Sequence, residues 1–131
     1  MRILFVCDDN TFSSLIAEHI VNKYYSPESE AKSCGIRIDG KITDSMKYIL
    51  AKTGIDTIDL KRNHINAFCE EDWDSVVCFS KQAMSYVKMT VHPNPIFILV
   101  DVPKGDSEDK YLRARGKIID GIEYLFDEGA I

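Results

Sequence analysis

With 131 residues, of which 45% are hydrophobic and 28% charged, the chain has the composition of a globular protein and the length of one domain, residues 1–131. The formal net charge of −5 argues against the basic surface with which proteins bind nucleic acids or anionic membranes. No apolar stretch approaches the ~20 residues needed to span a bilayer, and no signal peptide follows Met1, so we expect a cytoplasmic location.

The N-terminal stretch has the pattern of a strand, a loop and a helix. Residues 3–6 form an apolar run that leads to Cys7, a mostly polar loop of six residues follows, and a helix is predicted over residues 14–24. Ser13 or Ser14 is expected to cap that helix. Because α/β proteins bind anions where a parallel strand ends and a helix begins, we expect the functional site in this stretch.

The remaining chain alternates short apolar runs with amphipathic segments. Strands are predicted at residues 31–34, 75–79 and 96–100, and the TIDL sequence at residues 57–60 is a further candidate. Helices are predicted at residues 43–52, at residues 81–88 and from after Gly105 to about residue 126. Pro93 and Pro95 predict a turn before the 96–100 strand, whose continuous apolar sequence predicts burial on both faces. The alternation predicts an α/β fold, a four-stranded parallel sheet with helices on both faces.

The four cysteines, Cys7, Cys34, Cys69 and Cys78, lack the spacing of a CxxC or zinc motif. In a cytosolic protein reduced thiols are the default, so three of them are expected to be small apolar residues. Cys7 is the exception because it stands where the first strand meets the loop. No metal or cofactor is expected.

Three α/β families that handle phosphate begin with a strand of this kind, and two of them fail at the residues that carry the chemistry. Receiver domains of two-component signalling need a phospho-accepting Asp at the end of the third strand, where this chain has Cys78, Phe79 and Ser80. Phosphatases of the haloacid-dehalogenase type carry a second Asp two positions after the nucleophile. Here Asp8 would be the nucleophile, and Asn10 stands at the second position.

The third family fits most of the chain. Cys7 is followed by five residues and then by Ser13 and Ser14. This resembles the Cys-x5-Arg-Ser/Thr loop of the low-molecular-weight protein tyrosine phosphatases, to which a class of arsenate reductases is related. The resemblance implies the four-stranded fold of that family. Further matches are Asn10 in mid-loop, Ala17-Glu18 in the helix, Ser33-Cys34-Gly35, Gly54-Ile55-Asp56 and Asp74-Ser75-Val76-Val77.

The resemblance also implies roles for individual residues. In that family the cysteine attacks phosphorus, the hydroxyl residue stabilises the thiolate, the Arg binds two phosphate oxygens, and a distant Asp protonates the leaving phenol. Cys7 would thus be the nucleophile and Ser14 the thiolate stabiliser. The family's Asp-Pro falls at Val102-Pro103, so Asp101 would act as the acid only after a one-residue shift. The implied phosphate loop consists of Asp8, Asp9, Asn10, Thr11, Phe12 and Ser13.

The loop departs from the family at three positions. Ser13 replaces the Arg, which removes a bidentate clamp on the phosphate. Asp8 and Asp9 place negative charge beside the phosphate and are expected to raise the pKa of the thiol. We therefore expect that hydrolysis of phosphomonoesters of the phosphotyrosine type is weak or lost.

Several alternatives remain open at this point. One is a non-catalytic binding or regulatory relative on the same scaffold. A less favoured alternative is a phosphocysteine carrier resembling the IIB components of the sugar phosphotransferase system, whose loop also lacks an Arg. Another is an arsenate reductase, but Cys69 and Cys78 do not match the positions of the two further cysteines that relay the disulfide in such enzymes. The expected partner is phosphate or a phosphorylated substrate such as a phosphoprotein, bound by a monomer or weak dimer.

Overall fold

The computed structural model describes residues 1–92 and 94–131, so the predicted turn at Pro93 lies outside the described residues. The strands are β1 (Arg2–Cys7), β2 (Glu30–Gly35), β3 (Ser75–Cys78) and β4 (Ile96–Phe97), and the helices are α1 (Ser13–Tyr24), α2 (Asp44–Thr53), α3 (Lys81–Thr90) and α4 (Glu108–Asp127). All strand pairs are parallel, in the order β2-β1-β3-β4. The predicted four-stranded parallel α/β sheet is confirmed. Within the described part of the chain, no helix is long and apolar enough to cross a membrane.

The central strand β1 separates two apolar cores. Ile3 and Phe5 belong to the core formed with α1, α2 and α4, whereas Leu4 and Val6 belong to the core formed with α3. This alternation follows from the two-residue period of a strand. Cys7 continues the first series, so its side chain lies on the α1 side of the sheet.

Helix α2 has the ends that its sequence predicts. Its N-cap is Thr43, whose hydroxyl accepts a hydrogen bond from the Met46 N–H at 3.2 Å. Gly54 follows its last turn with φ 102°, in the left-handed region that glycine adopts readily. Local signals therefore specify this helix.

Helix α1 begins differently from the prediction. It starts at Ser13, with Phe12 as the N-cap, and none of the side chains that the structure describes caps it. The predicted serine cap is wrong because the Ser14 hydroxyl bonds to Cys7 and Asn10 instead. The first N–H groups of α1 are therefore left facing the loop that follows Cys7.

The predicted strand over residues 96–100 is reduced to Ile96 and Phe97, and the expectation of burial on both faces is wrong. Strand β4 pairs only with β3 and forms one edge of the sheet. Phe97 is therefore 36% exposed and Leu99 62% exposed, while Val100 turns back into the core. A continuous apolar run does not distinguish an edge position from a central one.

The candidate strand at residues 57–60 does not form. Ile58 is 91% exposed, and its N–H donates to the Asp56 carboxylate at 2.9 Å in a turn closed by that side chain. The segment instead carries the chain to Arg62 and Asn63, which contact the functional site.

Cys34 and Cys78 lie in the core as predicted, and Cys69 is half-buried. Burial raises the pKa of the Cys34 thiol strongly and that of Cys78 to about 12. Both therefore remain neutral thiols and behave as small apolar side chains.

Candidate functional site

The Cys7 loop, residues 8–12, joins the end of β1 to the start of α1. The Cys7 sulfur lies 2.9 Å from the Ser14 hydroxyl oxygen and accepts a hydrogen bond from the Asn10 N–H at 3.2 Å. Asn10 has φ 56°, in the left-handed region that Asn adopts more easily than most residues. This turn of the backbone directs N–H groups toward the thiol.

The Asn10 side chain ties the loop to its surroundings and is fully buried. Its amide nitrogen donates to the Ser14 hydroxyl at 2.8 Å and to the Ser33 hydroxyl at 3.1 Å. Its amide oxygen accepts from the Asn63 N–H at 2.8 Å. The loop is thus connected to α1, to β2 and to the segment after α2 by one side chain.

Two further contacts fix the backbone of the Cys7 loop. Arg62 donates to the Asp9 carbonyl at 2.7 Å. A Cβ atom at Gly35 would lie 2.7 Å from the Asp9 carbonyl carbon and 2.8 Å from the Asn10 nitrogen. Only glycine allows β2 to approach the loop this closely, which gives the Ser-Cys-Gly match a physical reason.

The pKa of the Cys7 thiol is raised above its ordinary value, mainly by burial. Hydrogen bonds to Ser14 and from the loop backbone oppose this shift, and the charge on Asp9 adds to it. Of the two carboxylates that were expected to raise this pKa, Asp9 does so and Asp8 is not among the causes. The net effect favours a neutral thiol at neutral pH.

The two loop carboxylates each have a partner. Asp8 accepts a hydrogen bond from the Ser80 hydroxyl at 2.5 Å, and its second oxygen lies 3.9 Å from the Arg37 guanidinium. Asp9 accepts from the Thr11 hydroxyl at 2.6 Å, and its carboxylate occupies the space that a side chain at Gly40 would need. Both charges remain beside the thiol, but each is held toward a neighbouring segment.

Ser13 is buried at the first position of α1, and its hydroxyl has no hydrogen-bond partner among residues 1–92 and 94–131. Buried hydroxyls are normally paired. Ser13 also borders the cleft above Cys7, and its hydroxyl is one of the unpaired buried polar groups of the described residues.

The Cys7 cleft has a volume of about 740 Å³ and lies above the loop. The candidate acid, the exposed Asp101, lines it, and so does the exposed Val102, which stands at the position of the family's Asp. Its walls are formed by Cys7, Asp8, Asp9, Thr11, Ser13, Arg37, Ser80, Lys81, Asp101, Val102 and Lys104, with the apolar Phe12, Met46, Phe79, Leu99 and Val100.

The segment that carries Asp101 is anchored on both sides of the cleft. The Asp106 carboxylate accepts a hydrogen bond from the Ser45 N–H at 2.8 Å, and this bond is the main reason why the pKa of Asp106 is lowered. The Tyr111 hydroxyl lies 2.9 Å from the Gly105 carbonyl oxygen and 3.1 Å from that of Pro103, so its single proton is shared between these two acceptors. The wall that contains Asp101 is therefore fixed to α2 and α4.

The sequence reasoning missed Arg37, Ser80 and Lys81. Each follows the carboxyl end of a strand adjacent to β1, because β2 ends at Gly35 and β3 ends at Cys78. The order of the strands in the sheet would have indicated these residues, because the loops that follow neighbouring parallel strands lie at the same edge of the sheet. Across the residues that the structure describes, no group of three or more His, Cys, Asp or Glu side chains is arranged to hold a metal ion.

Comparisons with known proteins agree with the geometry. The sequence model described as low molecular weight phosphotyrosine protein phosphatase matches residues 2–124. None of the curated proteins compared with the chain matches it.

Solved structures share the fold. A low molecular weight protein tyrosine phosphatase from T. tengcongensis is 23% identical with a TM-score of 0.80, over 98% of this chain and 99% of that chain. An arsenate reductase in the phosphate binding state is 20% identical with a TM-score of 0.76, over 97% of each chain. Wzb of Vibrio vulnificus, in complex with benzylphosphonate, is 14% identical with a TM-score of 0.78, over 97% of each chain.

Proposed function

The chain belongs to the low molecular weight phosphotyrosine protein phosphatase family, and from that premise we propose a relative that binds a phosphate-type oxyanion beside Cys7 and hydrolyses phosphotyrosine-type monoesters weakly or not at all. The related structures with bound phosphate or benzylphosphonate support the choice of ligand. The residues of this chain's own cleft support the loss of rate.

Ser13 is the observation that carries the proposal. The family's loop places an Arg at this position, and here a buried hydroxyl with no partner among the described residues stands in its place. A guanidinium binds two oxygens of a phosphoryl group at once and balances its charge during transfer. Losing one such electrostatic contact costs on the order of 10²–10³ in rate, and a charged bidentate one at least as much.

The state of the thiol supports the same conclusion. Phosphoryl transfer to cysteine needs a thiolate, and burial together with Asp9 raises the pKa of Cys7. The Ser14 hydroxyl and the Asn10 N–H still point at the sulfur, so the geometry for stabilising a thiolate remains. The loop lacks the positive charge of an Arg, which would favour the thiolate.

A residual reaction would use the groups that remain. Cys7, as the thiolate, would form a bond to phosphorus as the bond to the leaving oxygen breaks, Ser14 would stabilise the sulfur, and Asp101 of the cleft wall would protonate the leaving oxygen. Water would then hydrolyse the phosphocysteine, releasing phosphate and regenerating Cys7. These three roles rest on the family resemblance, on the placement of Cys7 and Asp101 around one cleft, and on the contact between Ser14 and Cys7.

The arsenate reductase alternative has less support. Of the candidate relay cysteines, Cys78 belongs to the core on the α3 side of the sheet and Cys69 packs against that core, whereas Cys7 belongs to the core on the α1 side. A disulfide needs two cysteines on the same side with Cα atoms less than about 7 Å apart. A relay from Cys7 to either thiol is therefore not favoured.

The test is hydrolysis of p-nitrophenyl phosphate by the wild type and by Cys7→Ser, with Cys69→Ser as a control for a cysteine outside the cleft. We expect a wild-type kcat/KM at least ~10²-fold below that of an Arg-containing relative measured in parallel. The Cys7→Ser protein should lose whatever Cys7-dependent rate exists, and Cys69→Ser should match the wild type. A wild-type rate equal to that of the relative would contradict the proposal.

Alkylation by iodoacetamide tests the thiol directly. Because the pKa of Cys7 is raised, the thiol stays protonated below the ordinary thiol value of about 8.5, and its alkylation accelerates only above that pH. Mass spectrometry of the Cys7 peptide between pH 6 and about 10 measures this rate. The urea-unfolded protein is the control, and its Cys7 should react faster at every pH in this range. Rapid labelling of the folded protein at pH 6 would show instead that the loop activates the thiol.

A further inference from the structure

Arg37 occupies a position from which it reaches the Cys7 cleft. It follows Gly35, the last residue of β2, by two positions. The Ile36 N–H donates to the Cys7 carbonyl at 3.2 Å, and the Arg37 N–H donates to the Asp8 carbonyl at 3.0 Å. The backbone of Arg37 is therefore fixed alongside the Cys7 loop, and its side chain lines the cleft.

The guanidinium of Arg37 is only loosely engaged. Its nitrogens lie 3.9 Å from an Asp8 oxygen, 3.4 Å from an Asp39 oxygen and 3.4 Å from the Gln82 amide oxygen. Charge-assisted hydrogen bonds between such groups are normally about 2.7–2.9 Å long. The side chain is 48% exposed, so these contacts contribute little and are exchanged at low cost.

The other groups in the cleft favour a ligand with several acceptor oxygens. Lys81 and Lys104 line it, and neither forms an ion pair with a residue that the structure describes. Ser13 also borders the cleft, and its buried hydroxyl has no partner in the described part of the chain. Three cations, those of Arg37, Lys81 and Lys104, thus line the cleft that contains Cys7, together with the carboxylates of Asp8 and Asp9.

We propose that Arg37 is the anion-binding residue of this cleft and takes over, from the loop after β2, the contact that the family makes from the position of Ser13. The inference rests on the proposed function, because it names the residue that holds the oxyanion. The ligand is a dianionic oxyanion such as inorganic phosphate or the phosphoryl group of a monoester. Asp8, fixed by the Ser80 hydroxyl, provides the countercharge beside which the guanidinium rests when no anion is bound.

The position of Arg37 also accounts for binding without efficient transfer. A guanidinium on the loop after β2 approaches the anion from the side of the cleft, whereas a residue at position 13 would approach from the start of α1. Binding the ground state and the transition state equally well raises affinity and leaves the chemical step unassisted.

The probe is inorganic phosphate, titrated by calorimetry at constant ionic strength into the wild type, Arg37→Ala and Arg37→Lys. Lys41→Ala is the matched control, because Lys41 is an exposed cation of the same loop outside the cleft. We expect Arg37→Ala to weaken phosphate binding at least ~10-fold, corresponding to the loss of a charge-assisted contact. The phosphate affinity of Arg37→Lys should lie between those of the wild type and Arg37→Ala, because an ammonium group keeps the charge but does not bind two oxygens at once. Lys41→Ala should bind as the wild type does.

A second comparison separates a specific contact from general surface charge. In a Ser13→Arg background, Arg37→Ala should have a much smaller effect on phosphate affinity, because two residues with one role are not additive. Equal effects in both backgrounds, unchanged binding by Arg37→Ala, or no phosphate binding by the wild type would each overturn the inference. Absence of phosphate binding by the wild type would also contradict the proposed function, whereas the first two outcomes concern Arg37 alone. Efficient turnover of p-nitrophenyl phosphate by the wild type would contradict the proposed function and leave the role of Arg37 in binding intact.

Discussion

The Ser13→Arg substitution is expected to raise the Cys7-dependent kcat/KM for p-nitrophenyl phosphate by at least ~10²-fold. Ser13 lies at the first position of α1 and lines a cleft of about 740 Å³, so a longer side chain has room to extend over the thiol. The new guanidinium would bind the phosphoryl oxygens and lower the pKa of Cys7 through its charge. Steady-state kinetics of the two proteins measures the gain.

Two variants at the same position separate charge from shape. Ser13→Lys adds a cation without the planar fork, and Ser13→Gln adds length without charge. The expected order of rates is Arg, then Lys, then Gln, with the Gln variant close to the wild type. If Ser13→Arg gains nothing and Ser13→Arg combined with Asp9→Gly gains strongly, the carboxylate of Asp9 limits the loop more than the missing Arg does.

The Asn10→Ala substitution is expected to lower the free energy of unfolding by about 3 kcal/mol or more. It removes the amide that bonds to Ser14, Ser33 and Asn63, so the buried Ser33 hydroxyl and the half-buried Asn63 N–H lose this partner and the Ser14 hydroxyl keeps only its contact with Cys7. Each unpaired buried group costs roughly 1–3 kcal/mol. Alanine also tolerates the φ of 56° less well than asparagine. Urea denaturation measures the change.

Two comparisons identify the cause of this loss. Asn10→Gly removes the same hydrogen bonds and accepts the positive φ, so it should be less destabilising than Asn10→Ala. Asn66→Ala removes an exposed asparagine and should change stability by no more than about 0.5 kcal/mol. If Asn10→Ala were as stable as Asn66→Ala, the Asn10 network would not be a structural element of the site.

The sequence predicted the fold most accurately where local signals decide the structure. Thr43 and Gly54 mark the two ends of α2, and the structure places a cap at each. The order of β1, the Cys7 loop and α1 also follows the prediction. An apolar run, a polar loop and a repeat of apolar residues with helical spacing are each recognisable in the sequence.

The misplaced features depend on contacts that are distant in sequence. The extent of β4 is set by its place at the sheet edge, which the apolar run over residues 96–100 does not encode. Arg37 enters the cleft only because β2 pairs with β1. The missing serine cap is different, because the contacts that withdraw the Ser14 hydroxyl from capping are with Cys7 and Asn10, which are near it in sequence.

The packing of Asp9 against Gly40 constrains how this site varies among related sequences. The Asp9 carboxylate fills the space beside Gly40, so a side chain at position 40 requires a smaller residue at position 9. The two positions should therefore change together: relatives with glycine at position 9 are free to carry a side chain at position 40. Asp9 thus restricts, at a position 31 residues away, which residues the loop after β2 can carry.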